Sequence, residues 1–359
     1  MKNLLKKRIL LFSLFILAFP SFSENLPAEN KPQEHSDIPL VSVPDSSRPE
    51  VDRFRQQYMQ PKWIKLLGEY LETALPYRLY VRKELKEKNL PFYLEYLPVV
   101  ESNYNPRAKS RSGALGMWQF MENSVYPFLT LNEYVDERLD PWKSTDAALK
   151  KLRDNYNIFG DWNLAIGAYN CGAGAMAKAL KKSSKKDYWH LCENNLLSRQ
   201  TSDYVPKLLA IADLVENCEA YGVSLPKHHD EYELLEIEKQ AAFDYITVEA
   251  AYSIKQLAQE MRIDSDELIR LNPSYIKGFT LPEGKSEIRL PLGMAQSAKD
   301  ALSSIEPIDL PFKYTVKKGD SLWSISRTYG VSVKSLCEIN DISENAILRI
   351  GKILYIPSK

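Results

Sequence analysis

Cysteine and histidine are scarce in this chain, four of each among 359 residues. Cys171, Cys192, Cys218 and Cys337 are too sparse for a disulfide scaffold and lack the paired spacing of a zinc site. One bridge, such as Cys192 to Cys218, is compatible with an oxidising compartment, and small buried thiols are the simpler expectation. His35, His190, His228 and His229 show no H-E-x-x-H spacing and have no serine-nucleophile elbow nearby, so metalloprotease and esterase chemistry lose their main support. No metal and no cofactor is expected. Net charge is also missing, because 47 basic residues balance 47 acidic ones. Without a basic excess to neutralise phosphates, nucleic acid is not an expected partner. Only one long apolar run occurs, which excludes a polytopic membrane chain, while 44% hydrophobic and 26% charged residues suffice for globular cores.

That apolar run, Ile9 to Phe19, follows the basic triplet Lys6-Lys7-Arg8 and precedes Ser21-Phe22-Ser23, a small-x-small pattern. These are the three zones of a secretory signal over residues 1–23. A run of eleven residues, ten of them apolar, falls short of the roughly 20 that span a bilayer, so export is favoured over a transmembrane anchor. With no cysteine before Cys171, no amino-terminal lipid-bearing thiol is expected. Removing the signal would leave 43 bases against 47 acids, a net charge of −4.

Residues 24–60 mix proline, serine and charge without a period through most of their length, and read as a flexible linker. From Trp63 the spacing turns helical, with Leu66, Leu67, Tyr70, Leu71 and Leu75 on one face. Helical patterns broken by Asn, Gly, Pro and Asp continue to about Tyr221, predicting an all-α domain over 61–228. Beyond the charged segment PKHHDEYELLEIEKQ the texture changes, and residues 243–291 can be laid over 314–357. In that register Leu257 matches Ile325, Leu268 matches Leu336 and Asn272 matches Asn340. Each copy predicts a small βααβ unit, so the fold class is multidomain: an all-α domain followed by two small α+β modules.

Chemistry concentrates in ESNYNPRAKSRSGALGMWQFM, residues 101–121. Glu101 follows the apolar Leu97-Pro98-Val99-Val100, and Met117 and Trp118 could cover it. Desolvation of that kind raises a carboxyl pKa toward the value a general acid needs near neutral pH. Ser102, Asn103, Asn105, Ser110 and Gln119 form a polar set around it, and Gly113 and Gly116 permit close backbone approach. Ordinary glycosidases use two carboxylates. Asp136, Glu137 and Asp140 are the nearby candidates for a second, and with Arg138 they read better as an ion-paired structural loop.

Residues 101–121 resemble the first signature of family 1 lytic murein transglycosylases, with WQFM resembling the D branch of the membrane-bound members. Further matches follow in order: VDERLDPWKSTDAA at 135–148, GDWNLAIGAYNCGAG at 160–174 and TSDYVPKLLA at 201–210. The resemblance implies a goose-lysozyme-like (SLT) fold and a peptidoglycan lyase in which Glu101 protonates the bond between N-acetylmuramic acid and N-acetylglucosamine. Glu101 then takes the proton of the muramyl C6 hydroxyl, giving a 1,6-anhydro end without water. It further implies that Ser102, Ser110, Met117 and Gln119 line the sugar site, that Tyr169 orients Glu101, that Asn170 holds substrate and that Tyr204 closes the cleft. Trp118 and Trp162 read as core. Cys171 stands where alanine is usual, placing an oxidisable thiol beside the site, and Gln200 replaces a glutamate, removing a local salt bridge.

Residues 314–357 resemble a LysM module, implying that N-acetylglucosamine-containing glycan binds there. Gly319-Asp320-Ser321 forms the turn into its first helix, with Asp320 or Ser321 as the cap. The first copy, 243–291, lacks that turn and is equally compatible with a spacer. The expected protein is thus an exported, periplasmic or envelope-associated monomer acting on peptidoglycan strands. A lysozyme-type hydrolase using the same Glu101, or a non-catalytic wall-binding scaffold, are the alternatives.

Overall fold

The structure is a computed structural model and describes residues 40–226, 242–308 and 312–356. The expected signal, residues 24–39 of the linker, and His228 with most of the charged segment after it lie outside the described residues. The described chain divides into two compact units, one built from 40–75, 84–124 and 148–226, the other from 76–83, 125–147 and 242–356.

The first unit departs from the expected linker at once. Residues Pro49–Tyr58 form α1, with Pro49 in the first turn, where its missing N–H costs nothing. Val51 and Phe54 are buried on its inner face. The segment has just two inward apolar residues among charges and glutamines, so it reads as tether in sequence although it packs against the long carboxy-terminal helix of the unit. The helices Pro61–Thr73 (α2), Leu75–Glu87 (α3) and Leu97–Ser102 (α4) also carry proline in the first turn. They are followed by Pro141–Phe159 (α5), Trp162–Cys171 (α6), Ala173–Leu180 (α7), Tyr188–Glu193 (α8) and Arg199–Glu216 (α9). Among the described residues of 40–226 only isolated β-bridges interrupt this all-α pattern.

Two helices make the core of the unit. Leu164 through Tyr169 of α6 are buried without a break, and α9 buries Tyr204–Pro206 and Leu208–Glu216. Gly167 allows that density: a Cβ there would stand 2.7 Å from Met176 Cε and 2.9 Å from the Tyr188 ring. Charges buried with α9 are paired. Asp213 accepts from Arg55 of α1, from Asn217 Nδ2 at 2.9 Å and from the Tyr221 hydroxyl at 2.6 Å. Such pairing offsets the desolvation that makes a lone interior charge costly.

The second unit contains both βααβ modules. In the first, Phe243–Val248 (β1) runs antiparallel to Ser286–Pro291 (β2), with Ile246 opposite Ile288, and helices Ile254–Glu260 and Ser265–Leu271 cover the pair. In the second, Phe312–Thr315 (β3) pairs with Ile353–Ile356 (β4), and helices Leu322–Tyr329 and Val333–Ile339 take the equivalent places. The matched asparagines do identical work. Asn272 Nδ2 donates to the Leu268 and Arg289 carbonyls at 3.0 and 2.7 Å and its Oδ1 accepts from Arg289 N at 2.8 Å. Asn340 repeats this with Leu336 and Tyr355 at 2.7, 2.6 and 2.7 Å. One amide thus ties each second helix to its closing strand. Leu257, Ile325, Leu268 and Leu336 are all buried, as the internal register requires. Ser321 caps its helix through a reciprocal bond with Ser324, while Asp320 closes the turn by accepting from Lys317 N and the Tyr314 hydroxyl. In the first module Ser253 caps instead, and a further helix, Ala295–Leu302, buries Ala298 and Ala301.

A second departure concerns 76–83 and 125–147, expected as part of one helical domain over 61–228. They group with the second unit, where 125–147 contribute to the core of the first module. Val135 is buried with Ile246, Leu268 and Leu290. Asp140 accepts from Arg289 Nη1 at 3.0 Å, and the Arg289 guanidinium lies 4.2 Å from the centre of the Trp142 ring. A polar cavity of about 220 Å³ beside them is lined by Tyr80, Asp140, Lys143, Asn272 and Arg289, among others, and holds none of the predicted site residues.

Candidate active site

The first unit assembles the predicted site residues from four segments: α4, the loop 103–121, α6 and α9. Helix α4 is short because Asn103 (φ 55°) and Tyr104 (φ 60°) follow it in the left-handed region. Asparagine tolerates that conformation; for tyrosine it is strained, at about 1–3 kcal/mol. The Tyr104 hydroxyl donates to the Glu95 carbonyl and its ring is buried, which holds the bend. Glu101 is thereby fixed at the last turn of a helix whose preceding residues, Leu97, Pro98 and Val99, are buried.

The loop then folds back on itself. Leu115 and Phe120 exchange backbone hydrogen bonds at 3.1 Å, and Gly116 N donates to Ala108 O at 2.9 Å. Gly113 (φ 89°) and Gly116 (φ 82°) take backbone conformations that other residues rarely adopt. Ser102 Oγ donates to the Met117 carbonyl at 2.7 Å, clamping the loop to α4, and Met117 and Trp118 are fully buried beneath. Ser110 Oγ accepts from Ala114 N at 2.9 Å, so its hydroxyl proton remains for another partner. Gln119 (φ 51°) spends its amide on Gly116 O at 2.8 Å and Ala108 O at 3.2 Å, leaving Oε1 as the group that could meet a ligand.

Tyr204, rather than Tyr169, supplies the hydroxyl that reaches Glu101. Tyr204 of α9, expected to close a cleft, donates its hydroxyl to Glu101 Oε1. Tyr169 of α6, expected to orient Glu101, donates to the Trp118 carbonyl at 3.0 Å. The spacing of the AYN motif does not reveal this, because the partner carbonyl is chosen by how the loop returns. Asn170 Oδ1 accepts from Thr201 Oγ1 at 3.0 Å, joining α6 to α9, and its Nδ2 donates to no group among the described residues. Cys171 is half-buried, and burial pushes its thiol up, which lowers the thiolate population and works against the expected oxidisable character. All four cysteines are free. Trp118 is core, whereas Trp162 is half-buried and stacks on Tyr156 with centroids 4.4 Å apart.

Glu101 is half-buried, and desolvation raises its carboxyl from 4.5 to about 7; the Tyr204 hydrogen bond and the positive charge of Lys151 pull the other way. Burial and the neighbouring carboxylate hold Tyr169 and Tyr204 well above the usual phenol range, so both remain donors. A carboxyl half-protonated near neutral pH can both give and accept a proton. The three further carboxylates are each engaged within the second unit. Arg138 grips Asp136 through Nε and Nη2 at 2.9 and 2.7 Å, Lys143 holds Glu137 at 2.7 Å, and Asp140 pairs with Arg289. Asp140 Oδ1 also accepts from Trp142 N and Lys143 N, capping α5. These are the hydrogen bonds of an organising loop.

Sequence reasoning overlooked Lys151. It lies on α5 at the i+3 position from buried Ala148 and next to buried Leu152, so the signal was a charge on the apolar stripe of a helix.

Comparison with known proteins matches residues 79–192 to the Transglycosylase SLT domain, 242–307 to the LysM-like domain of lytic transglycosylase MltD and 314–357 to the LysM domain. Membrane-bound lytic murein transglycosylase D of Escherichia coli strain K12 is 31% identical over 331 residues, covering 86% of this chain and 69% of that protein. The chain belongs to the D-type family of lytic murein transglycosylases. The SLT match bears out the lysozyme-like all-α expectation for this transglycosylase, and the two LysM matches bear out the repeated modules. The first module extends past the expected residue 291 to 307 because Ala295–Leu302 adds to its core. The peptidoglycan transglycosylase of Escherichia phage T7 is 28% identical over 179 residues, 45% of this chain and 13% of that protein. Among solved structures, the 70 kDa soluble lytic transglycosylase of Escherichia coli is 24% identical, with a TM-score of 0.36 over 50% of this chain and 32% of that one. No helix among the described residues is long and apolar enough to cross a membrane.

Proposed function

We propose that this chain, a peptidoglycan lytic transglycosylase, cleaves the β-1,4 bond between N-acetylmuramic acid and N-acetylglucosamine without water. Glu101 gives its proton to the glycosidic oxygen as the bond from C1 breaks. The carboxylate so formed takes the proton of the muramyl C6 hydroxyl as that oxygen bonds to C1, giving a 1,6-anhydro end and restoring the acid. One carboxyl serves both steps, and the observation that carries the reading is its setting: a desolvated wall raises it to about 7 while Tyr204 fixes Oε1. In this reading the muramyl C6 hydroxyl takes the place of a base-activated water, so a second carboxylate is not required.

Around it, the Ser110 hydroxyl, Gln119 Oε1, Asn170 Nδ2 and the backbone at Met117 are the groups assigned to the sugar. Ser102 acts at one remove by holding the Met117 carbonyl. The module 314–357 is assigned to N-acetylglucosamine-containing glycan, where weak binding raises the local concentration of the catalytic unit on a polymer. An exported, envelope-associated monomer acting on peptidoglycan strands completes the reading. Replacing Glu101 by Gln tests it: lysis of purified sacculi should fall at least 10²-fold, the scale of a lost general acid, and full activity in that variant would end the proposal.

A further inference from the structure

We propose that Lys151 is a positioning residue of the active site, whose ammonium, seated over the rings of Phe120 and Tyr169, steadies the Glu101 carboxylate between proton donation and proton return. The inference rests on the catalytic reading of Glu101 and deepens it.

Lys151 is half-buried on α5, while its neighbour Lys150 is exposed. Its Nζ stands 5.3 Å from the centroid of the Phe120 ring and 5.0 Å from that of Tyr169. The two rings meet edge to face, centroids 6.2 Å apart at 75°, and the Tyr169 hydroxyl is anchored on the Trp118 carbonyl. They make a fixed cradle. Among the described residues no carboxylate reaches Lys151 as an ion pair; burial lowers its ammonium from the usual lysine value, and the nearby Glu101 charge opposes that shift while the two rings face the ammonium. The titratable groups of this site are Glu101 of α4, Tyr169 of α6 and Tyr204 of α9, and only Glu101 changes charge near neutral pH.

That placement suits a carboxyl that alternates between neutral and charged. A direct ion pair would keep Glu101 ionised and remove the acid. No cation at all would leave the carboxylate stranded in a desolvated wall once the proton has gone. A cation held back on two aromatic faces favours the charged state moderately, and only while that state exists. This is stabilisation reserved for the reacting complex, which raises turnover rather than affinity.

The test compares the full-length wild type with Lys151→Met, Lys151→Gln and Lys151→Arg on soluble glycan fragments across pH. Loss of the charge should move the alkaline limb of kcat/KM upward by about half a pH unit or more, as expected when one partly screened charge is removed. In Lys151→Met and Lys151→Gln, kcat near neutral pH should fall several-fold with KM unchanged; Lys151→Arg should return the limb to the wild-type position. A limb that stays in place in both neutral variants, including one whose rate falls equally at every pH, overturns the proposal. Retained activity in Glu101→Gln is a separate outcome and would sink the catalytic reading instead.

Discussion

A carboxyl raised by burial makes the folded protein pH-sensitive in a direction that can be worked out in advance. Below pH 4.5 Glu101 is protonated whether the chain is folded or not, and it contributes nothing. Between 4.5 and about 7 the unfolded chain releases the proton while the folded chain keeps it, so stability falls as pH rises. Above 7 the full penalty of a desolvated carboxylate is present. The gap between the two values corresponds to about 3 kcal/mol. Glu101→Gln deletes the titration while retaining an oxygen that can accept from Tyr204. Its unfolding temperature relative to wild type should therefore rise between pH 4.5 and pH 8, by about 2–4 °C for each kcal/mol in a domain of this size. Calorimetry at the two pH values measures this, and taking the variant-minus-wild-type difference cancels every other titrating group. A difference of the same size at both pH values would refute the argument that Glu101 is desolvated.

Two further outcomes follow from the site and the modules. Tyr204→Phe removes the donor that favours the ionised form, so the alkaline limb of activity should move above its wild-type position, and an unchanged limb would show that the hydrogen bond does not tune Glu101. Deleting 314–357 should weaken binding to sacculi more than it slows cleavage of soluble fragments, and equal losses in both assays would exclude tethering.

Much of this is legible in the sequence alone. The run Leu97 to Val100 announces a wall, and Glu101 at its end is a carboxyl delivered from apolar surroundings. The repeat was legible because the pairs Leu257 and Ile325, Leu268 and Leu336, and Asn272 and Asn340 must fill equivalent places in the same small fold. What escaped depends on partners distant in sequence. Asp140 and Arg289 are 149 residues apart, and no local pattern ties 125–147 to the first module. The segment Pro49–Tyr58 has the composition of a tether, and its folding depends on α9, which buries Val51 and Phe54. The choice between Tyr169 and Tyr204 as the Glu101 partner turns on where a loop carbonyl lies, and helical spacing carries no information about that.

The claim at the centre is that one side chain returns an internal proton and no water enters the reaction. Purified sacculi digested with the full-length protein and analysed by mass spectrometry decide it directly. Muropeptides bearing 1,6-anhydro ends, lighter by one water than reducing ends, are the predicted product. Reducing ends as the initial product would contradict the account and assign Glu101 to hydrolysis.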